Sequence, residues 1–369
     1  MKGSSTGPGW KKQALLLFVG LFFACLVLEA GLRVMNAMKE RRAREEARVS
    51  AEASGEYWAI YDPDLGYRMN PKYGDLNPDG LRDRPIGPKQ GRSRLLFLGD
   101  SICFNGDDLD DTLVGHMRAE LHKNPANERV DVVNACIKGY TNYQEIGYLK
   151  KFGVKYEPDL VGIEFCLNDI PKYLMAFHFD ENGQIMPGSY SVSSQALSQG
   201  RSWPRRLMSH SALLVWLRDH IGLVGNLASW QARRGFSFDY RTDFNAAWKE
   251  DGWPDIEKQL AEATALGREK GFRFFLTVLP VATQYQQDYL ARDRAHVLMP
   301  QRKLKEICAR LGIPFYDLYP ELSPDLINPD AIHLTKQGRV RAGEAIARFL
   351  ERENLLPVGR PSIPERAPR

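Results

Sequence analysis

A serine that directly follows an apolar segment is the first residue of this chain that could do chemistry. Ser101 lies in the run Gly99-Asp100-Ser101, just after the apolar residues 95–98. A serine hydroxyl is a weak nucleophile until a neighbouring base takes its proton. The short motif is also compatible with a serine that only caps the following helix. A nucleophilic role for Ser101 therefore depends on a base elsewhere in the chain.

His333 is the candidate base, in the run Asp330-Ala-Ile-His333 towards the C-terminal end. With this spacing on a turn, the Asp330 carboxylate can reach the imidazole Nδ1, which fixes the tautomer and stabilises the imidazolium. A single histidine in a loop is more often a surface residue. Here the Asp330 partner, and a position after the last apolar segment, favour a general base.

Two further residues could hold the oxyanion that develops during acyl transfer. Asn168 follows the apolar residues 160–165, and its amide NH2 is a suitable donor. Gly139 follows the apolar residues 130–133 and could offer a backbone N–H at close approach. Each also has a purely structural interpretation, an Asx turn for Asn168 and a positive-φ turn for Gly139. Their positions after two different apolar segments favour the oxyanion role.

Five short apolar runs predict buried strands, with helical stretches between them. The strands are residues 95–98, 130–133, 160–165, 272–279 and 313–316, and the helices are about 111–123, 143–151, 255–270, 284–311 and 336–352. This alternation indicates an α/β fold, a parallel sheet with helices on both faces. Reacting groups gather at the carboxyl ends of such strands. The candidate residues described above are therefore expected to meet at one edge of the sheet.

In combination and in order, these motifs resemble the SGNH (GDSL-type) hydrolases over about residues 94–350. The resemblance implies a flavodoxin-like three-layer α/β/α sandwich with a five-stranded parallel sheet. It implies a catalytic triad of Ser101, Asp330 and His333. An oxyanion hole is expected from Ser101, Gly139 and Asn168. The family uses no cofactor, and no metal is implied.

Three cysteines lie beside these motifs, namely Cys103, Cys136 and Cys166. Cys166 stands where the family usually carries glycine. A disulfide would suit an extracytoplasmic setting, but small buried residues that fill strand ends are the interpretation we favour. The cysteines show no metal-type spacing.

An apolar run near the N-terminus predicts one transmembrane helix ahead of this domain. Residues 14–28 are all apolar or glycine, and continuing to Val34 reaches the roughly 20 residues that a bilayer requires. Glu29 and Arg33 are the charges in this span, and their spacing of four lets them pair on a helix. A cleaved signal peptide is the alternative, but no small-x-small site follows the run. Basic residues flank both ends, so their distribution does not choose the orientation.

The resemblance continues upstream. Asp-Leu-Gly-Tyr-Arg at 64–68 and Asn-Pro-Asp-Gly-Leu-Arg at 77–82 are similar to a bacterial membrane-anchored branch of the family. That branch implies a single-pass protein of the cytoplasmic membrane with its catalytic domain on the outer, periplasmic or extracellular, side. The expected organisation is an anchor at 1–35, a charged stalk and irregular lead-in at 36–91, a hydrolase domain at 92–356 and a disordered tail at 357–369. Residues 171–253 break the alternation and are interpreted as an insertion over the active edge.

Together these features predict a serine esterase that cleaves a short-chain or acetyl ester through a covalent acyl-serine. The same triad would serve an O-acyltransferase on an exported polysaccharide, with a sugar hydroxyl instead of water as the acceptor. A non-catalytic carbohydrate-binding protein on the same scaffold is the alternative of another class. Trp203, Trp216, Trp230 and Trp248 could stack on sugars, although burial is favoured.

The composition excludes one further class of partner. A formal charge of +4 against 50 basic and 46 acidic side chains gives no nucleic-acid signal. The expected partners are an acyl-ester substrate, with an acetylated glycan as one candidate, and the membrane.

Overall fold

The computed structural model describes residues 9–54, 58–176, 191–192, 211, 213, 236–239 and 244–356. The chain divides into two compact units, Met1–Ala53 with Ser198–Gly235, and Ser54–Leu197 with Phe236–Arg369. The expected tail at 357–369 and most of the expected insertion at 171–253 lie outside the described residues, so both remain predictions.

The described residues of the first unit include a long helix, α1 (Gly9–Ser54), whose last residue is the first of the second unit. Its segment Lys12–Met35 has 24 residues and a mean hydropathy of 2.5, so by length and composition it could cross a membrane. Glu29 and Arg33 form the ion pair that their spacing predicts, at 2.7 Å. Glu29 also accepts the Ser211 hydroxyl at 2.8 Å and the Leu213 N–H at 2.7 Å. Two residues of the 171–253 segment thus contact α1.

The second unit alternates strands and helices, as the apolar pattern predicts. In chain order its elements are β1 (Ala59–Asp62), β2 (Gly66–Met69), β3 (Ser93–Gly99), α2 (Ser101–Phe104), α3 (Leu113–Leu121), β4 (Val130–Cys136), α4 (Asn142–Lys151), β5 (Leu160–Phe165), β6 (Met175–Ala176), β7 (Ser191–Val192), α5 (Trp253–Lys270), β8 (Arg273–Val278), α6 (Gln287–Val297), α7 (Met299–Leu311), β9 (Phe315–Asp317) and α8 (Lys336–Arg352). Short 3-10 helices occupy Pro125–Asn127, Gly153–Tyr156, Ser237–Asp239, Asn245–Trp248, Ala282–Tyr285 and Pro324–Leu326.

A five-stranded sheet in the order β4-β3-β5-β8-β9 forms the centre of this unit, and all of its neighbours pair in parallel. Every residue of β5 and all but the first of β3 are buried, as expected for strands covered on both faces. Helices α3 and α8 pack together, and α4 and α7 both pack on α5. The result is the three-layer α/β/α sandwich that the sequence predicts.

The prediction of a single helix at 284–311 is wrong, because the structure has two helices there. The first, α6, ends at Val297, and the second, α7, begins at Met299. Pro300 lies in the first turn of α7, where its missing N–H leaves no bond unmade. Inside a continuous helix it would remove a hydrogen bond and its ring would clash with a carbonyl of the preceding turn. The last strand also starts later than expected, because the Ile313 N–H closes the end of α7 on the Cys308 carbonyl at 2.9 Å.

The lead-in expected to be irregular contains a two-stranded antiparallel ribbon of β1 and β2. The turn between them is held by Asp62, whose Oδ1 accepts the N–H groups of Asp64 and Leu65 at 3.0 Å. Gly66 completes the turn with a φ of +80°. Side chains of the ribbon, Tyr67 among them, are buried in the same core as the sheet. The ribbon is therefore part of the second unit and can support its active edge.

One of the four tryptophans is described. Trp248 is buried, and its Nε1 donates to the backbone carbonyl of His296 at 3.1 Å, so the favoured burial is confirmed for this residue. Trp203, Trp216 and Trp230 lie outside the described residues.

Candidate active site

Ser101 lies where β3 passes directly into α2. A Cβ on Gly99 would lie 2.5 Å from the Cys103 Sγ and 2.9 Å from Glu164 Oε2, so this close approach requires glycine. Asp100 caps α2 by accepting a backbone N–H at 2.8 Å. The helix cap is therefore Asp100, and Ser101 occupies the first helical position at the carboxyl end of the strand.

Ser101, His333 and Asp330 are joined by a continuous chain of hydrogen bonds. The Ser101 Oγ lies 2.8 Å from His333 Nε2, and His333 Nδ1 lies 2.8 Å from Asp330 Oδ2. A carboxylate can only accept, so the network assigns the ring proton to Nδ1 and leaves Nε2 to accept from the serine. This is the geometry in which a histidine can take the proton of a serine hydroxyl.

The loop that carries His333 is ordered by the carboxylate of Asp330. Asp330 Oδ1 accepts the N–H groups of both Ile332 and His333 at 3.0 Å. Ala331 lies in the left-handed region with a φ of +74°, and its carbonyl accepts the Ala282 N–H at 2.9 Å. Partial burial by itself would raise the pKa of Asp330. These two N–H groups and the imidazole outweigh that effect and hold the pKa below its ordinary value. Asp330 is thus kept as an anion beside the ring.

Gly139 lies in a tight turn, Ile137–Tyr140, that the Tyr140 N–H closes on the Ile137 carbonyl at 3.1 Å. Its φ is +71°, and a Cβ there would lie 2.4 Å from the Met175 Sδ. The Ile137 N–H donates to the Gly99 carbonyl at 2.9 Å, which ties this turn to the end of β3. Within the described ranges the Gly139 N–H donates to no protein acceptor, so it is available to a ligand oxygen.

Asn168 is buried, and its Nδ2 donates to Asp100 Oδ2 at 3.1 Å. The amide has a second N–H, which this bond leaves available for an oxyanion. Sequence reasoning missed Asp100, which is fully buried and joins the start of α2 to Asn168. Burial raises the pKa of Asp100, against the hydrogen bonds that it accepts. The position of Asp100 between Gly99 and Ser101 is the sequence feature that could have indicated its role.

Two tyrosines support the Gly139 turn, and the sequence alone did not indicate this role. The Tyr67 hydroxyl, on β2, donates to the Lys138 carbonyl at 2.5 Å, and the Tyr140 hydroxyl donates to the Tyr67 carbonyl at 2.6 Å. Their rings meet edge to face with centroids 5.2 Å apart. The run Leu65-Gly-Tyr-Arg68 is the sequence feature that could have indicated this role. Its Tyr67 supports the turn through the hydrogen bond to Lys138.

Four carboxyl groups are buried beneath the nucleophile, on Asp100, Glu145, Glu164 and Asp169. Burial raises the pKa of each, and repulsion from neighbouring carboxylates raises those of Glu145, Glu164 and Asp169 further. Asp100, Glu164 and Cys166 are close enough to share one metal ion. Asp100 already uses both oxygens on backbone and amide donors, so we assign no metal role to the group.

The favoured interpretation of the cysteines is wrong for two of them. Cys103 and Cys136 form a disulfide with a Cα separation of 5.9 Å, which links α2 to the end of β4. The register explains the pairing, because Gly99 lies opposite Cys136 in the sheet and the first turn of α2 brings Cys103 back over the strand end. Cys166 is a free buried thiol, as that interpretation expects.

A cavity of about 540 Å³ lies beside these loops. Its wall includes Phe104 and Asn105, which follow Ser101, and Lys138, which precedes Gly139. Ligand sites commonly have volumes in this range. The cavity is lined by chain neighbours of Ser101 and Gly139, and none of the five candidate site residues is in its wall.

Comparison with known proteins identifies the family of this chain. A family model described as GDSL-like lipase/acylhydrolase matches residues 97–340. A search of curated proteins found no match.

Similar solved structures have low sequence identity to this chain and TM-scores near 0.4. TesA is 17% identical, covering 70% of this chain and 99% of that one at a TM-score of 0.40. Axe2, an acetylxylan esterase from Geobacillus stearothermophilus, is 16% identical, covering 72% and 95% at a TM-score of 0.41. A putative lipolytic protein of the G-D-S-L family from Desulfitobacterium hafniense DCB-2 is 12% identical, covering 70% and 99% at a TM-score of 0.38. Since the matched model spans most of the second unit, this chain belongs to the GDSL-like lipase/acylhydrolase family and is a carboxylic ester hydrolase.

Proposed function

We propose that the protein hydrolyses a short-chain or acetyl ester through a covalent acyl-serine. His333 takes the Ser101 proton while Oγ bonds to the ester carbonyl carbon, whose oxygen becomes the oxyanion. The tetrahedral intermediate collapses, the C–O bond to the alcohol breaks and His333 returns the proton to that alcohol. Water, deprotonated by His333, then attacks the acyl carbon. The bond between that carbon and Ser101 Oγ breaks, His333 returns the proton to Oγ, and the acid is released.

The observation that carries this proposal is the unbroken series of hydrogen bonds from Ser101 through His333 to Asp330. Oxyanion stabilisation is assigned to the N–H groups of Ser101 and Gly139 and to the Asn168 amide. The first N–H of a helix has no partner inside the helix, which leaves that of Ser101 for substrate. The charged side chains in the adjoining cavity favour a short acyl group or a polar alcohol over a long lipid chain.

We also propose that residues 1–35 anchor the protein in a bacterial cytoplasmic membrane, and that residues 92–356 form the catalytic domain on its outer side. The length and hydropathy of Lys12–Met35 support the anchor. The Cys103–Cys136 disulfide supports the outer side, because structural disulfides form and persist in oxidising compartments.

The test is the full-length protein in detergent, assayed with 4-nitrophenyl acetate and with acetylated glycans, with and without an acceptor sugar. We expect free acetate from the wild type, a loss of at least about a thousandfold in kcat for Ser101→Ala, and labelling of Ser101 by a fluorophosphonate. Ser323→Ala, a loop serine bonded to Asp325 at 2.7 Å, is the matched control and should keep full activity.

Acetate transferred to the acceptor sugar would identify an O-acyltransferase with the same triad. Undiminished hydrolysis by Ser101→Ala, or a wild type that neither turns over nor is labelled, would contradict the proposed mechanism.

A further inference from the structure

The cavity beside the candidate site has a wall that combines cations with aromatic rings. Lys138 lies immediately before Gly139, and its Nζ stands 4.8 Å from the centroid of the Phe104 ring. The Arg82 guanidinium lies 5.4 Å from the same ring. Trp58 and Tyr73 line the cavity as well, and 42% of Tyr73 is exposed. These groups offer both a positive charge and flat apolar surfaces to a ligand.

Most of the charges in this wall are already compensated. Arg82 binds Asp75 through its Nε at 2.9 Å and donates its Nη1 to the Phe104 carbonyl at 2.9 Å. Arg339 is paired with the buried Asp111. The carboxylate of Asp107, also in the wall, has Lys336 at 3.7 Å. The wall therefore carries little net charge apart from Lys138.

Lys138 is a cation of this wall that takes part in none of these ion pairs. Within the described part of the chain no carboxylate lies within ion-pair distance of its Nζ, and the side chain is exposed to the cavity. Partial burial and the positive charge of Arg82 lower its pKa, with Asp75 acting weakly in the other direction. A carboxylate brought next to Nζ would favour the charged form of Lys138.

The backbone of Lys138 is held in place. Its carbonyl accepts the Tyr67 hydroxyl at 2.5 Å, and the next residue is the conformationally constrained Gly139. An anion held by Lys138 would thus lie near the residue that carries the proposed oxyanion donor. Such a contact positions the ester on the same molecule.

We propose that this cavity binds an acidic sugar unit of an acylated glycan, with Lys138 forming an ion pair to its carboxylate. The inference rests on the proposed function and names the substrate class of the same site. A pyranose ring presents C–H faces that pack on aromatic side chains such as Tyr73 and Trp58, while its hydroxyls suit the polar wall. A phosphate or sulfate on the sugar would meet Lys138 through the same charge.

The test compares two esters that differ only in the anion, acetylated methyl glucuronoside and acetylated methyl glucoside. We expect the full-length wild type in detergent to prefer the glucuronoside about tenfold in kcat/KM. Lys138→Gln should bring the ratio to about one, Lys138→Arg should restore it, and Lys138→Glu should reverse it. Lys150→Gln, an exposed lysine that pairs with Glu262, is the control and should keep the wild-type ratio.

A second readout does not need turnover of a sugar ester. The deacetylated glucuronoside should inhibit 4-nitrophenyl acetate hydrolysis at a concentration about tenfold lower than the glucoside, and this difference should be absent in Lys138→Gln. An acetylated glucoside 6-phosphate preferred over the glucuronoside would support the anion site and identify the anion as a phosphate.

Equal ratios for wild type and Lys138→Gln in both readouts would overturn the inference. A Lys138-dependent preference seen only with anionic lipid esters would overturn its sugar part. In either case hydrolysis of 4-nitrophenyl acetate and labelling of Ser101 would leave the proposed function standing, so the two failures are distinguishable.

Discussion

At the scale of single residues, Asp330 does two things at once, since one oxygen orders its loop and the other faces the His333 ring. Asp330→Asn keeps the acceptor for the loop N–H groups but turns an N–H towards His333 Nδ1. The ring would then carry its proton on Nε2 and could no longer accept the one from Ser101. We expect kcat on 4-nitrophenyl acetate to fall by about 10² to 10⁴ with little change in thermal stability.

A fluorophosphonate labelling time course on the same variant should slow in parallel with kcat. Unchanged kcat with an intact fold would show that Asp330 does not orient the ring. Asp251→Asn, an exposed carboxyl, provides the control for a change of charge alone.

Asp317, the last residue of β9, supplies a prediction about stability and pH. Burial raises its pKa from 3.8 to about 6, with the Tyr319 N–H and Lys305 acting in the opposite direction. The folded state therefore binds this proton more tightly than the unfolded chain. The carboxyl makes the fold progressively less stable as the pH rises from about 4 to about 6, and the penalty is complete above that range.

Asp317→Asn retains an oxygen for the Tyr319 N–H and cannot ionise. We expect it to be more stable than the wild type at pH 8 by on the order of 2–3 kcal/mol, and no more stable below pH 4. Thermal denaturation followed by circular dichroism at both pH values measures the difference. A gain of equal size at both pH values would rule out ionisation as the cause.

Residue types and spacing were sufficient to single out Ser101, His333 and Asp330, which the structure joins by hydrogen bonds. They did not indicate Asp100 or Tyr67. Those side chains act through contacts with residues distant in sequence, 68 positions away for Asn168 and 71 for Lys138. No local pattern marks such a contact, because it depends on which strands become neighbours.

At the scale of elements, the Cys103–Cys136 disulfide joins the helix that begins at Ser101 to the strand that leads to Gly139. It closes a loop with a sequence separation of 33. Loop closure of that length stabilises a fold by about 3–4 kcal/mol in the chain-entropy model. We expect the double variant Cys103→Ser/Cys136→Ser to lose stability of that order. Its kcat should fall as well, because α2 and the Gly139 turn lose a covalent link.

Reductant provides the matched control for this prediction. It should lower the melting temperature of the wild type towards that of the double variant and leave the double variant unchanged. Equal stability of the two proteins without reductant would mean that the link contributes nothing to the fold.

Most elements could be predicted because their patterns are local. The buried strands are short apolar runs, and α8 was placed at its observed bounds, 336–352. The errors have local physical causes that a pattern of apolar residues does not contain. Pro300 starts a new helix at a point where the apolar spacing continues, and the ribbon of β1 and β2 is marked by turn residues that equally suit an irregular segment.

At the scale of the whole molecule, the alternation of apolar and helical segments predicted the α/β fold of the second unit. The substrate could not be predicted in that way. The proposed binding surface combines side chains from separate segments, such as Tyr73, Arg82, Phe104 and Lys138, which the fold brings together in one cavity. Charge compensation within that cavity becomes visible only once the ion pairs are known.

The compartment of the catalytic unit can be tested on the intact protein by counting thiols. The chain has five cysteines and one disulfide, so three free thiols remain, on Cys25, Cys166 and Cys308. In this experiment, cells are quenched with acid and their protein is denatured in the presence of a maleimide-polyethylene glycol reagent. If the second unit is exported, the protein should carry three modified thiols. Prior reduction should raise the number to five.

The double variant Cys103→Ser/Cys136→Ser should show three modified thiols with or without reductant, because the same three cysteines remain. Five thiols on the unreduced wild type would place the second unit in a reducing compartment, since cytosolic thiols are kept reduced. The helix Lys12–Met35 would then hold the enzyme at the inner face of the membrane, where an exported glycan could be reached only before its export.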